Sequence, residues 1–113
     1  MAITTQYMIA SYRVKPADQN KFLNELQSTE TAYQKAGLLS DKSIIRMTSR
    51  VDPEFIIEII EWIDSQAFAA AQENSDILGH WGRLEEIWLD GGFGFDHVPE
   101  SKNPWATFNP LAE

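Results

Sequence analysis

EFIIEIIEWIDSQAFAAAQENSDILGHWGRLEEIW, residues 54–88, is the stretch on which the fold turns. It opens with Phe55, Ile56, Ile57, Ile59, Ile60, Trp62 and Ile63, a density of branched and aromatic side chains that packs better on a pleated surface than along a helix. Strand alternation sends Phe55, Ile57, Ile59 and Ile63 to one face, and Ile56, Ile60 and Trp62 to the other. Both faces are apolar, so the strand is expected to be covered on both sides. Glu58 and Glu61 interrupt it, one on each face. Asp64 or Ser65 supplies an N-cap and SQAFAAAQ reads as a short helix. Asn74-Ser75-Asp76 is a break and a second cap, after which Ile77, Leu78, Trp81, Leu84 and Trp88 follow helical spacing. A doubly covered strand feeding a helix pair forms the expected core, and a pocket is expected there.

Working outward, Gln6 to Lys15 alternates as a strand, with Met8, Ala10, Tyr12 and Val14 opposite Tyr7, Ile9 and Ser11. Pro16 suits the first position of a helix. From Ala17 to Ala36 the residues Phe22, Leu23, Leu26, Tyr33 and Ala36 form the apolar stripe, and Gly37 is the stop. Lys42 to Val51 reads as a second strand, joined by the tight turn Val51-Asp52-Pro53-Glu54 to the central one as an antiparallel hairpin. Phe93 to Val98 reads as a fourth strand, weakened by Gly94. The predicted order is β-α-β-β-α-β, an α+β ferredoxin-like fold with a four-stranded antiparallel sheet and helices on one face only. A second copy of the chain would then cover the other face. Residues 1–98 make the domain, and residues 99–113 an extended tail. Because the tail carries Trp105, Phe108 and Leu111, it is expected to dock on the domain or across a partner subunit, with Trp105 as anchor.

Composition narrows the function. At 113 residues the chain is one domain with room for a core. It has no cysteine, so disulfides, thiolate metal sites and cysteine nucleophiles are excluded. Nine basic against seventeen acidic residues give a formal charge of −8, which repels phosphate backbones and anionic lipid. No nucleic-acid partner is expected. No long apolar run suggests a membrane span, and MAITTQYMIASYRVK lacks a basic start followed by an apolar run, so a cytoplasmic location is expected. The aromatic load, four tryptophans, six phenylalanines and three tyrosines, reads as a filled core or interface, or as a pocket for a flat ligand.

Val14-Lys15-Pro16 at the end of the first strand, Phe22 in the helix, and Glu61-Trp62-Ile63-Asp64-Ser65-Gln66-Ala67-Phe68 together resemble the antibiotic biosynthesis monooxygenase (ABM) domain. That family shares a strand-end tryptophan followed by a capped helix opening in Ser/Asp-x-x-Ala, and the similarity covers residues 5 to 98. The resemblance implies a homodimer, a dimeric α+β barrel in which two sheets face each other, with a cavity between each sheet and its own helices. Members with known activity oxygenate phenolic or quinol-like aromatics with dioxygen and no metal or flavin, degrade haem, or have no established reaction. Many carry a histidine nine residues after the strand-end tryptophan, where this chain has Ala71, so the resemblance argues against haem. The glycine usual after the first-strand proline is Ala17.

Cofactor-free oxygenation needs a base, an apolar pocket for a flat ring, and donors that steady the developing anion. Candidate bases are His80, beside Trp81 in the helix, and the two strand carboxylates Glu58 and Glu61. The structural alternative is a surface helix histidine for His80. For one of the carboxylates it is neutralisation by Arg46 or Arg50 across the hairpin. His97 reads as a surface residue. Trp62 and Trp81 are expected to line the cavity or to pack in the core, while Tyr12 and Asn74 are candidate donors to a substrate oxygen. No phosphate-binding, metalloprotease, nucleophile-elbow or EF-hand motif is present, and two distant histidines make no metal cluster. Three readings follow: a cofactor-independent monooxygenase for a small phenol- or quinol-like aromatic, a non-catalytic ligand-binding or regulatory homodimer, and, third, haem binding or degradation.

Overall fold

The computed structural model describes residues 4–111. The chain runs β1 (Gln6–Arg13), a 3-10 turn (Pro16–Asp18), α1 (Gln19–Lys35), β2 (Ile45–Thr48), β3 (Phe55–Trp62), α2 (Ala67–Gln72), α3 (Ser75–Ile87) and β4 (Asp90–Gly91). Two 3-10 turns, Phe95–His97 and Pro99–Lys102, precede β5 (Asn109–Pro110). All strand pairs are antiparallel, in the order β4-β1-β3-β2-β5. The sheet has five strands, not the four expected. The fourth is only two residues long, and the fifth comes from the tail.

β3 is central, as its two apolar faces require. Ile56, Glu58, Ile60 and Trp62 point towards the helices and are buried, with Phe22, Leu26 and Leu84 around Ile56 and Tyr33, Ala67, Ala71 and Ile77 around Trp62. α1 ends as its glycine predicts. Gly37 takes φ +72°, its N–H donates to the Gln34 carbonyl and the Leu38 N–H reaches back to the Tyr33 carbonyl, a Schellman closure. α3 begins on Asn74, whose side chain accepts from the Ile77 N–H at 3.0 Å. Neither Asp64 nor Ser65 caps α2 itself. Asp64 Oδ1 instead accepts from the Gln66 N–H at 2.9 Å, one turn early, and Gln66 occupies the cap position.

Two predicted strands are cut short by local hydrogen bonding. β2 stops at Thr48 because Ser49 Oγ accepts from the N–H groups of Val51 and Asp52, which turns the chain. The expected strand Phe93–Val98 is absent: Gly92 takes φ +71° and the His97 and Val98 N–H groups fold back onto Gly94 and Phe95. Those donors are used locally, so no ladder forms.

The post-β4 segment has a second consequence. On the sheet face away from the helices, Ile57 is fully buried and Ser11 nearly so. Phe93 lies edge-on to Phe55 on that face, the Phe95–His97 turn packs beside β1, and Val98 is buried. The Glu100 carboxylate then accepts from the Arg50 N–H at 2.6 Å. The chain's own residues 93–102 thus cover half of the open face. The tail is not uniformly extended, since Pro99–Lys102 coils. β5 and Leu111, whose N–H donates to the Arg46 carbonyl at 3.2 Å, hold it to the edge of β2. Trp105, the expected anchor, is 85% exposed within the chain.

Candidate functional site

A cavity of about 320 Å³ lies between the β1 side of the sheet and α3, opening along the β1 edge. This is the small end of the range for ligand sites, roughly 300–1,000 Å³. Strand periodicity places its floor: Met8, Ala10 and Tyr12 share one face of β1, and Ile60 and Trp62 stand beside them on β3. Tyr33 from α1, Phe68 from α2, and Trp81, Leu84 and Trp88 close over them. The aromatics form a connected wall, with ring centres 4.9 Å apart for Tyr33–Trp62, 5.9 Å for Trp62–Phe68 and 6.0 Å for Phe68–Trp81. Trp88 stacks on Tyr12 at 5.7 Å. A Cβ on residue 91 would meet the Trp88 ring at 2.5 Å, which explains the glycine at Gly91.

Two polar hydrogens of these residues lack an acceptor among the described residues, that of Trp62 in a buried position. Trp62 is 2% exposed and its Nε1 has no partner. Trp81 Nε1 donates to Tyr33 Oη at 2.7 Å, so the Tyr33 hydroxyl hydrogen remains to be given elsewhere. Burial, and then the nearby Glu58 charge against the opposing pull of the Trp81 N–H, holds Tyr33 well above the ordinary phenol value. It is therefore a donor, not a phenolate. Buried unpaired donors are uncommon because each costs about 1–3 kcal/mol.

Behind Tyr12 lies a buried charge network. The Tyr12 hydroxyl donates to Glu58 Oε1 at 2.8 Å and Arg46 Nε to Glu58 Oε2 at 3.0 Å, while the other end of Arg46 pairs with Glu30 Oε1 at 2.7 Å. Arg46 stands directly opposite Glu58 in the ladder. Burial raises the Glu58 carboxyl above the ordinary carboxylate value, against the pull of Arg46 and the Tyr12 hydroxyl. Tyr12 is pushed up as well, by burial and then by the Glu58 charge. A proton arriving at Tyr12 Oη therefore has an acceptor one hydrogen bond further in.

Of the residues singled out from sequence, Trp62, Trp81 and Tyr12 line the cavity and Glu58 stands behind Tyr12. The other three are elsewhere. Glu61 is on the opposite sheet face, where the hydroxyls of Ser40 and Thr5 donate to it at 2.7 and 2.9 Å and hold its carboxyl below the usual range. His80 faces outward between α1 and α3, with Nδ1 3.2 Å from Glu25 Oε2 and 3.1 Å from Arg83. Asn74 is spent on its helix cap. His97 lies against Phe93, ring centres 5.4 Å apart, and does not itself line the cavity. Sequence reasoning took Tyr33 and Trp88 only as stripe residues and missed Phe68 and Phe93. A hydroxyl at the end of an otherwise apolar stripe was the available signal for Tyr33. Among the described residues no group of three or more His, Cys, Asp or Glu side chains converges as a metal site, and no helix is long and apolar enough to cross a membrane.

The sheet with its helices on one face and a cavity beneath them defines an α+β protein of the ABM-like fold. Similar solved structures include one from Nitrosomonas europaea and one from Bordetella bronchiseptica, both bearing the provisional name antibiotic biosynthesis monooxygenase. The first is 12% identical, with 80% of this chain and 85% of that one aligned and a TM-score of 0.62. The second is 15% identical, with 77% and 87% aligned and a TM-score of 0.63. A conserved protein from Methanosarcina mazei Go1 is similar to the same degree, at 17% identity, 78% and 85% coverage and a TM-score of 0.62. At these identities the likeness establishes the fold. No protein-family model and no curated protein matches the sequence.

Proposed function

We propose that the chain binds a small, flat, oxygen-bearing aromatic in the β1–α3 cavity and oxygenates it with dioxygen, without a bound metal or flavin. The observation that carries this reading is the pairing of two unspent donors, Trp62 Nε1–H and the Tyr33 hydroxyl, with a proton path from Tyr12 to Glu58. The donors suit a carbonyl or phenolate oxygen, and the aromatic wall suits a ring. In the reaction the substrate gives a proton to Tyr12 Oη as the Tyr12 proton passes to Glu58 Oε1. The anion so formed, its oxygen held by Trp62 and Tyr33, reduces dioxygen directly. The sum is R₂CH₂ + O₂ → R₂C=O + H₂O: one oxygen atom enters the product and the other leaves as water with the two hydrogens removed from carbon. Hydroxyanthrones are the matching class. The ABM names of the similar structures support the same chemistry. The test is oxygen uptake by purified protein with a hydroxyanthrone and a chelator present. One O₂ per quinone formed is expected; uptake equal to the protein-free rate would refute catalysis.

A second reading, a non-catalytic ligand-binding homodimer, is favoured by one observation. Both Glu58 oxygens already hold hydrogen bonds, as a purely structural network would. Tryptophan quenching by the hydroxyanthrone without oxygen uptake would select it. Haem has no comparable support, since neither histidine lines the cavity.

A further inference from the structure

The network behind Tyr12 does not end at Glu58. Arg46 crosses from β2 to α1: its Nε donates to Glu58 Oε2 at 3.0 Å, while its Nη2 donates to Glu30 Oε1 at 2.7 Å and to the Leu26 carbonyl at 3.3 Å. The helix repeat makes this seat, since Leu26 and Glu30 lie four residues apart and share a face of α1. Leu26 belongs to the buried stripe and Glu30 stands at its margin. The Glu30 side chain is 16% exposed, against 7% for Arg46 and 4% for Glu58. One guanidinium thus serves two carboxylates from opposite ends.

Two carboxylates against one guanidinium leave one negative charge over, in a place where an uncompensated charge is costly. Uptake of one proton removes that excess. The other groups facing Glu58 do not remove it. Tyr12 from β1 only donates a hydrogen bond, and Tyr33 from α1 stays a neutral phenol. α3 adds the Trp88 ring stacked on Tyr12, while its His80 and Arg83 are engaged by Glu25. Burial raises the Glu58 carboxyl, and the Glu30 charge adds to that rise against the pull of Arg46 and the Tyr12 hydroxyl.

We propose that Glu30 is a positioning residue: by dividing Arg46 between two carboxylates it keeps Glu58 able to take the proton of Tyr12. Glu30 does not line the cavity, and its role in the reaction rests on the proton path proposed above. With Glu30 uncharged, Arg46 has a single carboxylate to satisfy, and the network is neutral with Glu58 ionised. Glu58 then gives up a proton more readily and serves Tyr12 as a weaker base. A Glu30 that only anchored Arg46 would affect stability without moving the titration of Glu58.

The experiment follows the Glu58 carboxyl carbon by NMR across pH in the full chain, without substrate, its signal assigned by its loss in Glu58→Gln. Glu30→Gln keeps an oxygen for Arg46 Nη2 but no charge, and Glu30→Ala, with a good helix former, covers the case in which the glutamine variant does not fold. Glu30→Asp keeps the charge. Glu25→Gln removes a charge of the same helix that pairs with His80 and Arg83 instead of Arg46. The Glu58 midpoint should fall by about one pH unit in Glu30→Gln and Glu30→Ala, and stay near the wild-type value in Glu30→Asp and Glu25→Gln. With a hydroxyanthrone present, the acid limb of oxygen uptake should move to lower pH by the same amount in Glu30→Gln. A midpoint unmoved by loss of the Glu30 charge, or moved as far by Glu25→Gln, would overturn the proposal. The titration needs neither substrate nor oxygen. A wild type that consumes no oxygen would therefore refute the oxygenase reading, while the midpoint alone decides the role of Glu30 in the network.

Discussion

Trp62→Phe separates a core tryptophan from one that serves a ligand. The substitution keeps a ring against Tyr33 and Phe68 but removes the indole N–H and part of the ring area. Full truncation of such a residue to alanine costs about 3–5 kcal/mol. Loss of the smaller part of the ring costs about 1–2 kcal/mol on the same scale. Against this, the unpaired N–H costs the fold about 1–3 kcal/mol while it has no acceptor, and phenylalanine removes that penalty. The two effects nearly cancel, so stability should change by about 1 kcal/mol or less, a shift of roughly 4 °C in Tm for a domain of this size. Binding should respond differently. Loss of one hydrogen bond to the ligand oxygen, worth about 0.5–1.5 kcal/mol, weakens a hydroxyanthrone by about 2- to 10-fold. Thermal melts followed by circular dichroism, with titrations followed by quenching of the remaining tryptophans, Trp81 and Trp88 among them, give both numbers. A loss of about 3 kcal/mol with unchanged affinity would show that the donor is structural, and the reasoning would fail.

Other perturbations follow from the same geometry. Arg46→Ala leaves Glu58 buried beside only the Tyr12 hydroxyl, and should cost about 3–5 kcal/mol in urea unfolding, because an uncompensated buried charge remains. Gly91→Ala drives a Cβ into the Trp88 ring and should cost about 1–3 kcal/mol while weakening ligand binding, since Trp88 must leave its stack on Tyr12. Burial pushes Glu100 up, but the Ser49 hydroxyl and the Arg50 N–H more than offset it and hold its carboxyl below the usual range. The depressed value means that its contribution is present above the unfolded carboxylate pKa and is lost as pH falls through the folded one. Glu100→Gln should therefore lower Tm at neutral pH and flatten the acid limb of the Tm–pH curve; an acid limb identical to wild type would contradict this.

The central strand was legible because its pattern has one solution: two apolar faces demand cover on both sides, and β3 lies in the middle of the sheet. Pairing across the hairpin left Arg46 or Arg50 as partner for one of the two carboxylates, and the ladder sets Arg46 opposite Glu58, while the Gly37 and Asn74 ends of the helices follow from capping chemistry. What failed was adjacency in sequence taken as adjacency in space. His80 precedes the cavity-lining Trp81 by one residue, which on a helix is about 100° of rotation and puts it outside. For Glu61, strand alternation already gives the face away from Trp62, and there the Ser40 and Thr5 hydroxyls hold it. The last strand was lost to Gly92 and to the local bonds of residues 94–98, which compete with a ladder at short range. The cover of the open face by residues 93–102 depends on a long-range path that no periodicity encodes.

The most direct test of the proton path is oxygen uptake by Glu58→Gln, which keeps the shape of the side chain but has one carbonyl oxygen for the two donors Tyr12 Oη–H and Arg46 Nε–H, and cannot accept the Tyr12 proton. Hydroxyanthrone affinity should stay within about two-fold of wild type, while the oxygen-uptake rate at saturating substrate falls by about 10²–10⁴, the usual contribution of a positioned base. Uptake at the wild-type rate by a folded, ligand-saturated Glu58→Gln would contradict the assignment.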